Sequence, residues 1–408
     1  MSTRIFVVIF IGLAVLAGAY FYLTNQNDIT YTRENSNEPY LLHTDEDTAS
    51  ASSESANQFS AENIIPDTIS AEATKDTSPA PTTPTFPTRT TDPSLSALIG
   101  QLFMIGHWAN TPISDTTNLI RNNYLGGVII MSAPSEADQI KTWTNTWRND
   151  SPINLIIAID QEGTPVTRLR GNDFIQTSQR EITTSEVATA VGQTRGIELT
   201  RLGINMNFAP VLDSAYNPAS FMYQRVFPSR ENSATLADAM INGMKSSGVI
   251  GVAKHFPGHD DTEDDSHFML PLVNIEKSEL NRFTAPFREL IDLGSAQALM
   301  TAHVALPKID PRPATLSRFF LTDYLRGELG FKGVIITDDM SMKAITDHYH
   351  RGEAAVLALE AGADMILFAA EPQAVLEAIE AVEAAVQSGR LSRSRLEASA
   401  EHLSALRP

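Results

Sequence analysis

Eight short apolar runs, separated by stretches of helical periodicity, constrain this chain more than anything else in its sequence. They are Ile99 to Gly106, Gly126 to Met131, Leu155 to Ile159, Ile204 to Ala209, Val249 to Ala253, Ala298 to Ala302, Gly333 to Thr337 and Met365 to Phe368. Runs that are apolar on successive residues, rather than on every second one, belong to strands buried on both faces, the situation of parallel strands covered by helices. The intervening helical patterns are Ser135 to Trp147, Ser185 to Leu202, Ser233 to Ser247, Ser278 to Leu293, Ser317 to Leu329, Arg351 to Ala361 and Glu371 to Ser388, with Leu391 to Leu406 as a last one. Eight strand-helix units in about 315 residues fit a (β/α)8 barrel. An open doubly wound sheet fits less well, because no Gly-rich phosphate turn follows a strand. The expected fold is therefore α/β: a single (β/α)8 TIM-type barrel over residues 94–408.

Upstream the chain differs in kind. Ile5 to Leu23 is unbroken by charge and follows Met1-Ser-Thr-Arg4. At about 1.5 Å per residue it is long enough to span a hydrocarbon core of about 30 Å. Ala17-Gly18-Ala19 also resembles a signal-peptide cleavage site. Residues 1–24 are thus expected to be a membrane anchor or a signal peptide. Residues 25–93 are dominated by Ser, Thr, Asn, Asp, Glu and Pro. Such a segment buries too little apolar surface to offset its ordering entropy, and reads as a disordered linker with a reach of about 45 Å. The expected location is exported and anchored to the membrane through the N-terminal segment, or secreted or periplasmic if that segment is cut. A monomer is expected.

The formal charge of −19 removes the basic surface that nucleic-acid binding requires and gives no attraction to anionic lipid headgroups. Contact with a membrane must then be hydrophobic. The absence of cysteine excludes disulfides, thiolate nucleophiles and Cys-type zinc sites.

If the barrel is right, reactive groups should follow the strands, where the βα loops build one face. Asp160-Gln161-Glu162-Gly163 follows the third run, Pro210-Val211-Leu212-Asp213 the fourth, His303 the sixth and Asp338-Asp339 the seventh. After the fifth comes Lys254 to His267, where three histidines, one lysine and five acidic residues stand within fourteen positions, interrupted by Pro257-Gly258. Ionisable groups crowded at the ends of apolar strands are where pKa values are usually tuned. Carboxylates gathered from separate strand ends point to glycosidic hydrolysis. Asp338 is the candidate nucleophile, although it or Asp339 is also placed to cap the following helix. His267 is able to donate and later accept a proton near neutrality, and Asp265 stands close enough in sequence to fix its tautomer. A metal-dependent hydrolase built on His255, His259, Asp261, His267 and His303 is a rival reading. No metal and no cofactor are expected, because the spacing of His255 and His259 across Pro257-Gly258 does not place both on one helical face.

These motifs together resemble glycoside hydrolase family 3, in particular its β-N-acetylhexosaminidase branch of the peptidoglycan-recycling type. The resemblance rests on Lys254-His-Phe-Pro-Gly-His259, Asp265-Ser-His267, Ile159-Asp-Gln-Glu-Gly163, Asn207-Phe-Ala-Pro-Val-Leu-Asp213, Met300-Thr-Ala-His303 and Thr337-Asp-Asp-Met-Ser-Met342. It covers the chain from about Leu95 onward. It implies a retaining double displacement on terminal β-linked N-acetylglucosamine, with a carbohydrate as the partner of the site. In that frame Asp338 is the nucleophile, His267 the acid/base and Asp265 its helper, while Asp160, Arg168, Arg225, Lys254 and His255 bind the sugar. A β-glucosidase of the same family and a weakly active wall-binding barrel are the alternatives. Three places depart from the family pattern: Thr164-Pro165 where a Gly-Arg is usual, Asp260 where a glycine is usual, and Arg225-Val-Phe-Pro228 in place of Arg-Ser-Phe-Gly.

Overall fold

A computed structural model describes residues 95–134, 136–259, 266 and 268–406. Expectations for residues 1–93, and for Asp260, Asp265 and His267, lie outside the described residues. Eight parallel strands close into a barrel: β1 (Phe103–His107), β2 (Gly127–Ile130), β3 (Ile156–Ile159), β4 (Met206–Asn207), β5 (Ile250–Phe256), β6 (Ala298–Thr301), β9 (Val334–Asp339) and β10 (Met365–Phe368). β7 (Ala305–Leu306) and β8 (Asp310–Pro313) form a separate antiparallel pair between β6 and β9. The barrel closes where Phe103 of β1 stands opposite Ile366 of β10. Every residue of β1, β2, β3, β5, β6 and β10 is buried, as the unbroken apolar runs require. Among the described residues no helix is long and apolar enough to cross a membrane.

Several boundaries differ from those read in the sequence: β4 is only Met206–Asn207 of the run Ile204 to Ala209, and the helix read over Ser278 to Leu293 is broken into Lys277–Glu279, Leu280–Phe283 and Ala285–Leu293. The first apolar run is two elements: Leu95–Gly100 is helical, and only Phe103 onward is strand. A Cβ on Gly100 would lie 1.8 Å from the Asn123 carbonyl oxygen, so this helix ends where only glycine lets another backbone approach. β5 does not stop at Ala253 but continues through Lys254 and His255 to Phe256. β9 likewise carries Asp338 and Asp339 as its last two residues. Polar side chains held by partners at the barrel rim thus extend strands that hydropathy alone would end.

The helix Ile113–Asn123 has no counterpart among the sequence readings, because its buried face is partly Thr116 and Thr117 rather than apolar residues. The segment expected as a helix over Ser317 to Leu329 is wound wider than an α-helix, as a π-helix over Phe319–Glu328.

At the N-terminal end of the barrel, Asp364 precedes β10 and is fully buried. It accepts hydrogen bonds from Ile335 N–H (2.9 Å), Ser399 Oγ (2.9 Å), His402 Nδ1 (3.0 Å) and Arg326. Arg395 lies 3.6 Å away. This carboxylate fastens the π-helix and the last helix, Arg393–Ser404, under the barrel.

Candidate active site

The opposite end of the barrel gathers the other buried charges. Lys254 on β5 reaches Asp160, one residue beyond β3, at 2.7 Å and Glu162 at the same distance. Arg225 grips both oxygens of Glu162 at 2.9 Å, the two-pronged geometry that a guanidinium offers a carboxylate. Arg168 approaches Asp160 at 3.5 Å. All five side chains are buried. Burial by itself would raise the Glu162 carboxyl, but the charges and hydrogen bonds of Arg225 and Lys254 carry it well below the usual carboxylate range. Burial would lower the Lys254 ammonium, and Asp160 and Glu162 more than reverse this. Glu162 and Lys254 are therefore both charged at neutral pH, within a network of three basic and two acidic side chains. Lys254 is the ion-pair partner that a conservative reading of the sequence would make it, yet two of its three N–H groups suffice for those pairs.

Gln161 shapes the loop between the two carboxylates. Its Oε1 accepts the backbone N–H groups of Arg168 (3.0 Å) and Leu169 (2.9 Å), while its Nε2 donates to Thr167 Oγ1 (2.8 Å) and the Leu169 carbonyl (3.1 Å). Asn207 on β4 holds the Gln161 backbone from beneath through both its N–H and its carbonyl. The turn itself depends on Gly163, whose φ is 97° and where a Cβ would sit 2.0 Å from the Thr177 carbonyl oxygen. Arg168 is placed by this loop rather than by a strand.

A second group lies beside β5. Asp213 accepts from His255 Nδ1 (2.6 Å) and the His255 backbone N–H (3.1 Å) on one oxygen, and from the His259 backbone N–H (2.7 Å) on the other. Burial would raise the Asp213 carboxyl, but His255 and His259 hold it below its ordinary value. The hydrogen bond to the Asp213 carboxylate holds a proton on His255 Nδ1 and fixes the orientation of the ring. His259 is buried, its ring 6.0 Å from that of His255 and edge-on to Phe221 at 5.6 Å. Burial lowers its pKa to about 4, against opposing pulls from Asp213 and Asp338, so it is neutral at neutral pH.

Asp338 and Asp339 end β9 with different duties. Asp339 accepts backbone N–H groups from Ser341 (3.0 Å), Ala369 (2.9 Å) and Ala370 (3.0 Å), tying β9 to the segment after β10. Its carboxyl is raised, chiefly by burial. Asp338 accepts the Asp339 backbone N–H at 2.7 Å and stands near enough to His259 to influence its ionisation. Neither aspartate takes the capping role open to them in the sequence, because the next helix, Lys343–Thr346, starts from Met342 without a side-chain cap; Asp339 instead joins two strand ends. His303 after β6 supports the same strand end, with Nε2 donating to the Asp339 carbonyl at 3.0 Å and Nδ1 at 2.8 Å from Thr315 Oγ1. Its ring nitrogens serve the scaffold, unlike the ligand role of the rival metal reading.

Of the residues expected from the sequence, Asp160, Arg168, Arg225 and Lys254 share one network, His255 adjoins it on β5, and Asp338 at the end of β9 stands near His259. Glu162 and Asp213 appeared in the sequence only as polar residues after strands. Their roles as the hub of the ion pairs and the orienter of His255 depend on partners from other strand ends, for which no local pattern gives a signal.

A closed parallel barrel with buried charged side chains gathered at the C-terminal strand ends is a (β/α)8 barrel with its candidate site on the face where such barrels carry their chemistry. More particularly, the chain belongs to glycoside hydrolase family 3: the profile described as "Glycosyl hydrolase family 3 N terminal domain" matches residues 94–406. It is 37% identical over 271 residues to a beta-hexosaminidase of Psychromonas ingrahamii, covering 62% of this chain and 78% of that protein. A beta-hexosaminidase of Nitrosomonas eutropha is 32% identical over 311 residues, covering 70% and 87%. Among solved structures, the glycoside hydrolase family 3 beta-N-acetylglucosaminidase from Paenibacillus sp. str. FPU-7 superposes with a TM-score of 0.70 at 38% identity. That match covers 77% of this chain and 62% of the Paenibacillus one. The beta-N-acetylhexosaminidase from Beutenbergia cavernae gives a TM-score of 0.72 at 30% identity, covering 78% of this chain and 99% of that one.

Proposed function

We propose that this enzyme is a β-N-acetylhexosaminidase that removes terminal β-linked N-acetylglucosamine by a retaining double displacement. The observation that carries the reading is the division between the two aspartates of β9, in which Asp339 takes the scaffold bonds and Asp338 stands near His259 at the strand end. A carboxylate fixed at the end of a rigid strand suits attack on an anomeric carbon. Asp160, Lys254 and Arg168 offer carboxylate, ammonium and guanidinium groups to sugar hydroxyls, which both donate and accept hydrogen bonds. Because these groups are already charged and paired, they bind without reorganising when the sugar arrives. Proton transfer to the leaving oxygen is assigned to His267, with Asp265 holding its ring, as the resemblance implies.

The test is release of nitrophenol from the aryl β-N-acetylglucosaminide and the aryl β-glucoside by the wild-type enzyme. Turnover of the first well above the second is expected. A preference for the glucoside would make the enzyme a β-glucosidase, and turnover of neither would sink the reading. His267→Ala should slow substrates with poor leaving groups far more than activated aryl glycosides, which need little protonation. Equal losses on both would remove His267 from acid/base work. Muropeptides are the proposed natural substrates. The apolar segment Ile5 to Leu23 and the polar linker would hold a monomeric barrel within about 45 Å of a membrane.

A further inference from the structure

Beside the catalytic cluster, and lined by none of its residues, a cavity of about 640 Å³ opens between the loop after β3 and the loop after β4. Its size is within the range of about 300–1,000 Å³ usual for small-ligand sites. Thr164 and Pro165, the pair that departs from the family pattern, form one wall, and Thr177, Arg180, Glu181 and Gln224 contribute others. The backbone of these walls is well fastened. Thr164 N–H donates to the Gln176 carbonyl (3.0 Å), Ser178 Oγ to the Gln224 carbonyl (2.9 Å), and the fully buried Arg195 to the Thr177 carbonyl. Arg180 is held with its guanidinium 4.0 Å from the Tyr223 ring centre and one N–H on the Phe227 carbonyl (3.2 Å).

The side chains tell a different story from the backbone. Thr164 and Gln224 are exposed and Thr177 half-buried, and the two hydroxyls and the Gln224 side-chain amide, which make no hydrogen bond among the described residues, face solvent. Pro165 is the one apolar side chain of the lining, and the charges of Arg180 and Glu181 cancel. An open cavity whose solvent-facing hydroxyl and amide groups can exchange water for a ligand, with one apolar side chain and no net charge, matches a neutral polyhydroxylated ring. It offers no slot for an apolar peptide side chain and no excess charge for an ionic one. Thr164 stands two residues after Glu162, and Gln224 immediately precedes Arg225, so the cavity backs onto the ion pair of the catalytic cluster.

We infer that this cavity is a second carbohydrate site, which holds a sugar unit of a glycan outside the catalytic pocket. The inference rests on the hexosaminidase reading only for the choice of sugar. The experiment compares wild type with Thr177→Val/Gln224→Leu, which removes a hydroxyl and an amide without touching the cluster. The expected result is a KM for chitotetraose raised about tenfold, the effect of two lost neutral hydrogen bonds, with both constants for the aryl monosaccharide unchanged. The monosaccharide also reports that the variant is folded. Equal change on both substrates, or no change on either, would overturn the inference. Calorimetric titration of chitotetraose into Asp338→Asn, with and without the two substitutions, should show the same loss of affinity. Displacement of the tetrasaccharide by a sugar-free tetrapeptide would instead make the cavity a peptide site and also overturn it. Failure of the wild type to cleave the aryl monosaccharide would count against the hexosaminidase reading, while the titration would still decide the second site.

Discussion

Two buried carboxylate clusters stand at opposite ends of this barrel, built from the same chemistry and completed differently. At the N-terminal end Asp364 is surrounded by a backbone N–H, a serine, a histidine and two arginines, all donated by elements that it binds together. At the C-terminal end Asp160 and Glu162 face three cations, and Lys254 makes its two pairs with only part of its donor capacity. One cluster is saturated by the protein. In the other, Lys254 has a donor left over after its two ion pairs. The contrast teaches that buried ion pairs do not by themselves mark a site, and that what distinguishes a site is the surplus left after pairing.

The largest effect that would break this comparison concerns Asp338. Asp338→Asn should lower kcat on the aryl N-acetylglucosaminide by about 10⁴-fold or more, as loss of a nucleophile does, with little change in the urea midpoint. A variant that lost several kcal/mol of stability would place Asp338 with the scaffold. Asp364→Asn should do the reverse, leaving Arg326 and Arg395 without their buried counter-charge at a cost of about 3–5 kcal/mol. Urea unfolding would measure the loss, and kcat per folded molecule should stay at the wild-type value. Abolished turnover in the folded fraction would show that the two ends are not independent.

A smaller effect sharpens the picture through pH. Burial holds His107 on β1 and His259 after β5 each at about 4, below the ordinary histidine value of 6.5. Between pH 6.5 and 4 the unfolded chain therefore binds protons that the folded chain refuses. Stability is full above pH 6.5 and falls as the pH drops toward 4, by up to about 3 kcal/mol for each histidine. His107→Gln, measured by urea unfolding across that range, should flatten the fall. An unchanged slope would mean that His107 is not buried as a neutral ring.

The strands were legible in the sequence because burial on both faces leaves an unbroken apolar run, and that condition holds over most of the barrel. It fails at the rim. Lys254 and His255 lie in β5 although their character is that of a loop, since ion pairing rather than apolar contact buries them. It fails also at the helix Ile113–Asn123, where threonines fill part of the buried face. Candidate residues were legible one strand end at a time. What joined them was not: Glu162 meets Arg225 and Lys254, and Asp213 meets His255, only after closure of the barrel brings distant loops together. The split between Asp338 and Asp339 was equally invisible, because two adjacent aspartates carry one chemistry until the backbone aims them.

The Gln161 side chain has a consequence for the loop that carries Arg168. All its hydrogen bonds run between a neutral amide and main-chain or hydroxyl groups, so nothing in this fastening titrates. A reaction that moves protons alters the charge of its surroundings at each step, and a carboxylate in this position would feel those changes. Gln161→Glu would confront the Leu169 carbonyl with a negative charge and turn an inert clasp into one whose grip follows acidity. The amide makes the loop that carries Arg168 deaf to the proton traffic beside it.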